Sequence, residues 1–261
     1  MSGRIGLVAA LPAEGAALFG PRKTEWFGGR KIVRISLSND TELLGTVSGL
    51  GRENARSATR WLVENGCGIV VGAGVAGGLK PGMKPGDLVL PEEILEDAGG
   101  DVQKWPTNSP AQGRLSLLLG RAGIQVYGGK LFSSPVAILS PGEKLSLHRK
   151  TAALAVDMES AGIACAARES GVPFLIFRAI CDPADRTVPV ELSSAIAQNG
   201  AVRVPTLLGH LARKPTLIIE ILHLRRDFAA ALTHLRKGWQ TLMKNDALSA
   251  WPEWGAMDSA S

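Results

Sequence analysis

Four carboxylates, Glu14, Asp157, Glu159 and Asp182, stand at the ends of apolar, strand-like stretches. Acidic side chains are rarely set in such surroundings unless they are paired or bind something; solvated turn carboxylates are the plainer reading. Arg178 lies inside the apolar stretch 174–180, four residues before Asp182, and reads equally as a core ion-pair partner or as an anion binder. Gly72-x-Gly74-x-x-Gly77 has the spacing of a dinucleotide fingerprint. Its context denies that role, because Pro81, Gly82, Pro85 and Gly86 forbid the helix that would hold a pyrophosphate. The glycines read instead as a backbone nest whose N–H groups approach an anion or a sugar oxygen, with a tight turn as the alternative.

These groups need strands that end near one another. Residues 4–10 form a buried strand, and Leu11-Pro-Ala-Glu14 opens a helix. Residues 42–47 run into a glycine turn at 48–54, followed by a helix over 55–65 that Gly66 closes. A third strand over 67–71 ends at the glycines, and another spans 87–91. Residues 96–113 are turn-rich and read as a surface loop, 114–122 as a helix and 130–139 as extended chain. A helix starting at Ser140 carries His148; a strand over 153–156 leads to Asp157, a helix spans 161–170, and the last strand spans 172–180. Four strand ends therefore carry polar or glycine-rich turns, where open α/β sheets build ligand sites.

The 261 residues can bury roughly 70–75% of their unfolded surface without disulfides or metal. Cys67, Cys165 and Cys181 are far apart and form no C-x-x-C pair, so neither a disulfide framework nor a zinc site is expected, and a reducing cytoplasm is. No uncharged apolar run approaches the length of a spanning helix. Net charge is +5 overall. Residues 203–245 hold eight Lys/Arg against Glu220 and Asp227, so the basic character belongs to the C-terminal portion.

As a set, Gly6-Leu-Val-Ala-Ala-Leu-Pro-Ala-Glu14, Ser48-Gly-Leu-Gly-Arg-Glu-Asn-Ala55, Gly72-Ala-Gly-Val-Ala-Gly-Gly-Leu79 with Pro85-Gly-Asp-Leu-Val89, Val156-Asp-Met-Glu-Ser160 and Phe177-Arg-Ala-Ile-Cys-Asp-Pro-Ala-Asp185 resemble the superfamily of nucleoside phosphorylases and methylthioadenosine/adenosylhomocysteine nucleosidases. Within it, the segments 155–160 and 178–189 and the basic C-terminus look most like hopanoid-associated phosphorylases. The resemblance implies a three-layer α/β/α fold with a central mixed sheet, and phosphorolytic release of adenine from adenosylhopane, a lipid-linked nucleoside. It implies Asp182 as the acid at the purine N7, Glu159 with Met158 at the ribose hydroxyls, and Glu14 and Arg178 on the nucleophile's side. Asp157, Gly74, Val75 and Gly49 are further candidate contacts to substrate.

Breaking the C1′–N9 bond puts negative charge on adenine and positive charge on the sugar, which suits an acid at the base and a carboxylate at the ribose. Gly72 stands where phosphorylases of the uridine and bacterial purine type carry an arginine, and Val75 where the nucleosidases carry a serine. Gly74, Arg52 and Arg186 are the candidate phosphate binders, with phosphate as co-substrate and no metal or other cofactor expected. Hydrolysis, or binding without turnover as a lipid-nucleoside carrier, are the alternatives.

Residues 1–245 are expected to form one domain, with 203–245 basic and helical and 246–261 a flexible tail. Ile221, Leu224, Phe228, Ala231, Leu235, Trp239 and Leu242 follow helical spacing after Pro215 and make one apolar stripe. That helix either packs on the core with a solvated outer face or attaches to anionic lipid on the inner face of the membrane. A homo-oligomer is expected, and nucleic acid is not.

Overall fold

Alternation along the strands separates two faces of one sheet. In β1 (Arg4–Ala9), Ile5, Leu7 and Ala9 enter one core while Val8 enters the other. In β5 (Ile69–Gly78), Ile69, Val71 and Ala73 face the first side and Val70 and Ala76 the second; in β12 (Phe174–Asp182), Leu175, Phe177 and Ala179 oppose Phe174, Ile176 and Ile180. Strands buried on both faces read as near-continuous apolar runs, as these do. The computed structural model describes residues 3–37, 41–107, 109–195, 214, 217–245 and 247–248.

Helices α1 (Pro12–Phe19), α3 (Ser109–Arg121) and the long C-terminal α7 (Leu217–Lys244) cover the first face. Helices α2 (Arg52–Glu64) and α5 (Ser160–Glu169) cover the second, so the expected three-layer α/β/α fold is present. The two covering helices pack so closely that a Cβ at Gly162 would collide with the Arg52 carbonyl oxygen. Helix α7 lies on β12, where a Cβ at Gly238 would come within 2.7 Å of the Phe177 ring. Ala231, Leu235, Trp239 and Leu242 of the expected stripe are buried there. Pro215 and residues 249–261 lie outside the described residues.

The sheet is mixed. The β4 (Glu42–Val47), β1, β5 and β12 strands run parallel, in the order β4-β1-β5-β12. Strand β5 is longer than its neighbour β1. The β1 pairing ends at Val8 opposite Gly72, and β11 (Ala153–Asp157) joins antiparallel only at Gly77 and Gly78. A gap in pairing is left opposite residues 73–76, and the C-terminal ends of β1 and β11 approach it from opposite directions. Every expected site carboxylate follows from this gap or from the end of β12 beside it.

Three sequence expectations are corrected. The glycines 72–78 form the second half of β5 and not a nest or turn, because the β12 register continues across them. Residues 96–113 are no loop: β7 (Glu93–Asp97) and β8 (Val102–Pro106) form an antiparallel hairpin, and α3 follows. Extended structure over 130–139 is confined to β10 (Lys130–Ser133), which pairs with both β7 and β11. A further edge hairpin, β2 (Glu25–Phe27) with β3 (Arg30–Ser36), was not apparent in the sequence; it turns through Gly28 and Gly29, both at positive φ.

Candidate active site

Glu14 enters the gap from the first turn of α1. Pro12 pre-sets the helix start, and Glu14 at the third helical position folds back on the backbone. Its Oε2 accepts from the Ala10 and Leu11 N–H groups at 2.8 and 2.9 Å. Its Oε1 accepts at 2.8 Å from Val75 N–H, a β5 donor left free by the gap. Burial raises the Glu14 pKa against these bonds and the nearby Arg178 charge, so the carboxylate has an increased affinity for a proton.

From the opposite side, β11 delivers Asp157, Met158 and Glu159. Both Asp157 oxygens are committed: Oδ1 accepts from Ser160 N–H at 3.2 Å, while Oδ2 takes the Ser160 hydroxyl and Arg178 Nε, the latter at 2.8 Å. The residue thus holds the first N–H of α5 and neutralises Arg178, while it also lines the site's cavity. Arg178, 3% exposed, also donates to Ser160 Oγ at 3.1 Å. Burial opposes its charge, but the carboxylates of Asp157, Glu159 and Glu14 hold its pKa above the ordinary value. It is the ion-pair partner and not an open anion binder.

Glu159 accepts from Gly51 N–H at the start of α2 at 2.8 Å. Burial, and then the Asp157 charge, push its pKa up to about 7. Asp182 comes from β12 by a bulge: Ile180 pairs with Ala76 and Asp182 with Gly77, leaving Cys181 as the extra residue. A Cβ at Gly77 would lie 3.1 Å from Asp182 Oδ2, so the Asp182 side chain packs closely over β5 at this glycine. Asp182 Oδ2 accepts from Lys144 Nζ at 2.6 Å, and Oδ1 is 2.9 Å from Cys181 Sγ. Burial and the Asp182 charge raise the Cys181 pKa, so Cys181 remains a thiol and donates.

Glu14, Asp157, Met158, Glu159 and Asp182 line one cavity of about 180 Å³, closed by Leu50, Val75, Ala76, Val136 to Leu139, Val156 and Val188. Gly49 is buried beside it and Leu50 takes its place in the wall. Gly74 packs directly against Glu14, where a Cβ would sit 2.6 Å from Oε1, and it is not among the residues that line the cavity. The candidate phosphate arginines are elsewhere. Arg52 is held by Glu96 and Glu53 outside the cavity, and Arg186 lines an adjoining groove and pairs with Asp227 on α7 at 3.2 Å. Among the described residues no Lys or Arg lines the cavity, and no group of three or more His, Cys, Asp or Glu could hold a metal ion. Lys144, from α4 (Pro141–Thr151), was missed by the sequence reading, because a lysine in a helix's first turn carries no signal of burial.

Fold and site together define a three-layer α/β/α protein in which carboxylates converge on a gap in the mixed sheet from the ends of β1, β11 and β12. The chain belongs to the phosphorylase superfamily, whose sequence profile matches residues 1–213. Among solved structures it is similar to a 5′-methylthioadenosine/S-adenosylhomocysteine nucleosidase from Neisseria meningitidis in complex with methylthio-immucillin-A, at 21% identity and a TM-score of 0.70, covering 93% of this chain and 99% of the other. It is also similar to the futalosine hydrolase of Helicobacter pylori, at 18% identity and a TM-score of 0.72, covering 94% and 99%. A Helicobacter pylori nucleosidase mutant with 5′-methylthioadenosine in the active site matches at 17% identity and a TM-score of 0.72, covering 94% and 100%.

Proposed function

We propose that the protein hydrolyses the N-glycosidic bond of an adenine nucleoside. The observation that carries this reading is the convergence of Glu14, Glu159 and Asp182 on one cavity lined by no cationic side chain among the described residues. A phosphate at the nucleophile's position would need donors, and the Glu14 carboxylate already takes the three backbone N–H groups there. Water suits the site better. Glu14 accepts the water proton as oxygen adds to C1′; the C1′–N9 pair leaves with the purine, and Asp182 delivers a proton to N7. Glu159, next to the ribose, stabilises the oxocarbenium-like sugar.

The 5′ substituent we propose is large and apolar, as in adenosylhopane. In support, the cavity wall shares Ala137, Leu139 and Val188 with a groove of about 930 Å³, which Pro189 and Val190 also line together with charged residues such as Glu143, Asp185 and Lys214. Helix α7 leaves Ile218, Ile219 and Leu222 exposed, next to Arg225 and Arg226, a combination suited to anionic bilayer contact. No helix among the described residues is long and apolar enough to cross a membrane.

The test is incubation of the protein with adenosylhopane in detergent and with 5′-methylthioadenosine, each with and without phosphate. Adenine and a free ribosyl product are expected irrespective of phosphate, with the lipid substrate preferred. A ribose 1-phosphate product that needs phosphate would replace hydrolysis by phosphorolysis, and equal use of the short nucleoside together with no flotation on anionic liposomes would remove the lipid substrate.

Because Glu159 must be ionised to oppose a cation, and burial raises its pKa to about 7, activity should rise with pH through that region. Glu159→Gln should abolish this limb and lower kcat more than it raises KM. A limb that persists unchanged in the variant assigns it to another group, and a change in KM alone makes Glu159 a ground-state contact.

A further inference from the structure

We infer that Lys144 is a positioning residue for Asp182: it grips one carboxylate oxygen so that the other faces the departing base, and it stabilises the carboxylate left by proton delivery. This inference rests on the nucleosidase reading above. Lysine is almost never fully buried unless paired, and Lys144 is completely buried. Its ammonium donates to Asp182 Oδ2 at 2.6 Å, Pro183 O at 3.0 Å and Arg186 O at 2.9 Å. An ammonium has three N–H donors, so all are engaged. Two of the acceptors are carbonyls of the turn that follows β12, which ties α4 to the chain just beyond the acid.

The charge serves a purpose that packing alone does not require, because a buried ion pair is often no more stabilising than apolar residues of the same volume. Proton delivery requires Asp182 to take up a proton from solvent at Oδ1 when the nucleoside binds, and in that form it presents Lys144 with a neutral carboxyl oxygen. As the Oδ1 proton moves to N7 and the C1′–N9 electron pair enters the purine, Asp182 becomes a carboxylate facing an ammonium already in place. The interaction strengthens along the reaction coordinate, and only such interactions accelerate the chemical step. Cys181, which donates its thiol to Oδ1, must yield that oxygen to the base.

The test compares Lys144→Met and Lys144→Arg on two substrates: an adenine nucleoside, and para-nitrophenyl riboside, whose leaving group departs as a stable anion and needs no proton. Lys144→Met should lower kcat for the adenine nucleoside on the order of 10²-fold, with KM changed only a few-fold. Its loss on the nitrophenyl riboside should be several times smaller, Lys144→Arg should recover part of the rate, and adding Lys144→Met to Asp182→Asn should cost little more. Equal losses on both substrates would reduce Lys144 to a structural residue, and wild-type rates in Lys144→Met would dismiss the inference while leaving the nucleosidase reading standing. If Lys144→Met does not fold, Lys144→Gln carries the same comparison. A wild-type chain that cleaves neither substrate removes the nucleosidase reading itself, and this inference with it.

Discussion

Asp182→Asn should reduce adenine release at least about 10²-fold while the protein stays folded. The amide can still accept from Lys144 Nζ, now 2.6 Å from Oδ2, and it fills the same space over Gly77, so packing gives no reason for unfolding. What it lacks is a transferable proton. The amide N–H can hydrogen-bond N7 but cannot protonate it, so the purine would have to leave with its full negative charge. Substrate binding should survive, and the loss should fall on kcat. Steady-state kinetics with adenine detection, paired with a thermal unfolding curve, checks both parts. Activity within a few-fold of wild type would take Asp182 out of the acid's role.

The carboxylates proposed for this chemistry stand out in the sequence because each lies in an apolar setting, and such residues need a reason to be there. Their division of labour was not. Asp157 and Glu159 are two residues apart and alike in sequence context, yet the first is spent on Ser160 and Arg178 while the second accepts from the start of α2. Arg178 read equally as an ion-pair partner and as an anion binder; only the position of Asp157 Oδ2 decides between them. From sequence the glycines 72–78 read as a backbone nest, with a tight turn as the alternative, since glycine usually weakens a strand interior. In β5 they serve close approach instead: Glu14 lies against Gly74, Asp182 against Gly77, and Ile163 and Ile176 crowd Gly72. A close packing partner from elsewhere in the chain leaves no local trace. The same holds for the Cys181 bulge and for Lys144, whose acceptors lie about forty residues away, at separations of 38, 39 and 42.

Glu14→Gln should be the second variant with a large effect, and it should change two quantities at once. All three hydrogen bonds to Glu14 come from N–H donors, two at Oε2 and one at Oε1. Whichever way a glutamine is turned, its NH2 group meets a donor: Val75 N–H in one orientation, Ala10 and Leu11 N–H in the other. A buried donor left without an acceptor costs about 1–3 kcal/mol, so a lower urea midpoint is expected. The catalytic effect has a separate origin. Burial raises the Glu14 pKa, which makes its carboxylate a competent acceptor for a proton from water, and the amide has no such affinity. A drop in kcat of roughly 10²–10⁴-fold, the range for a lost general base, should be measured on protein that circular dichroism finds folded. Glu14→Ala separates the two effects further. It frees the three N–H donors and opens space beside Gly74, so added formate should restore part of the rate by supplying a carboxylate to the same donors. If phosphate restores the rate better than formate and appears in the product, those donors form an anion site and the attacking group is phosphate; if Glu14→Gln works at nearly the wild-type rate, Glu14 only holds the gap in the sheet together.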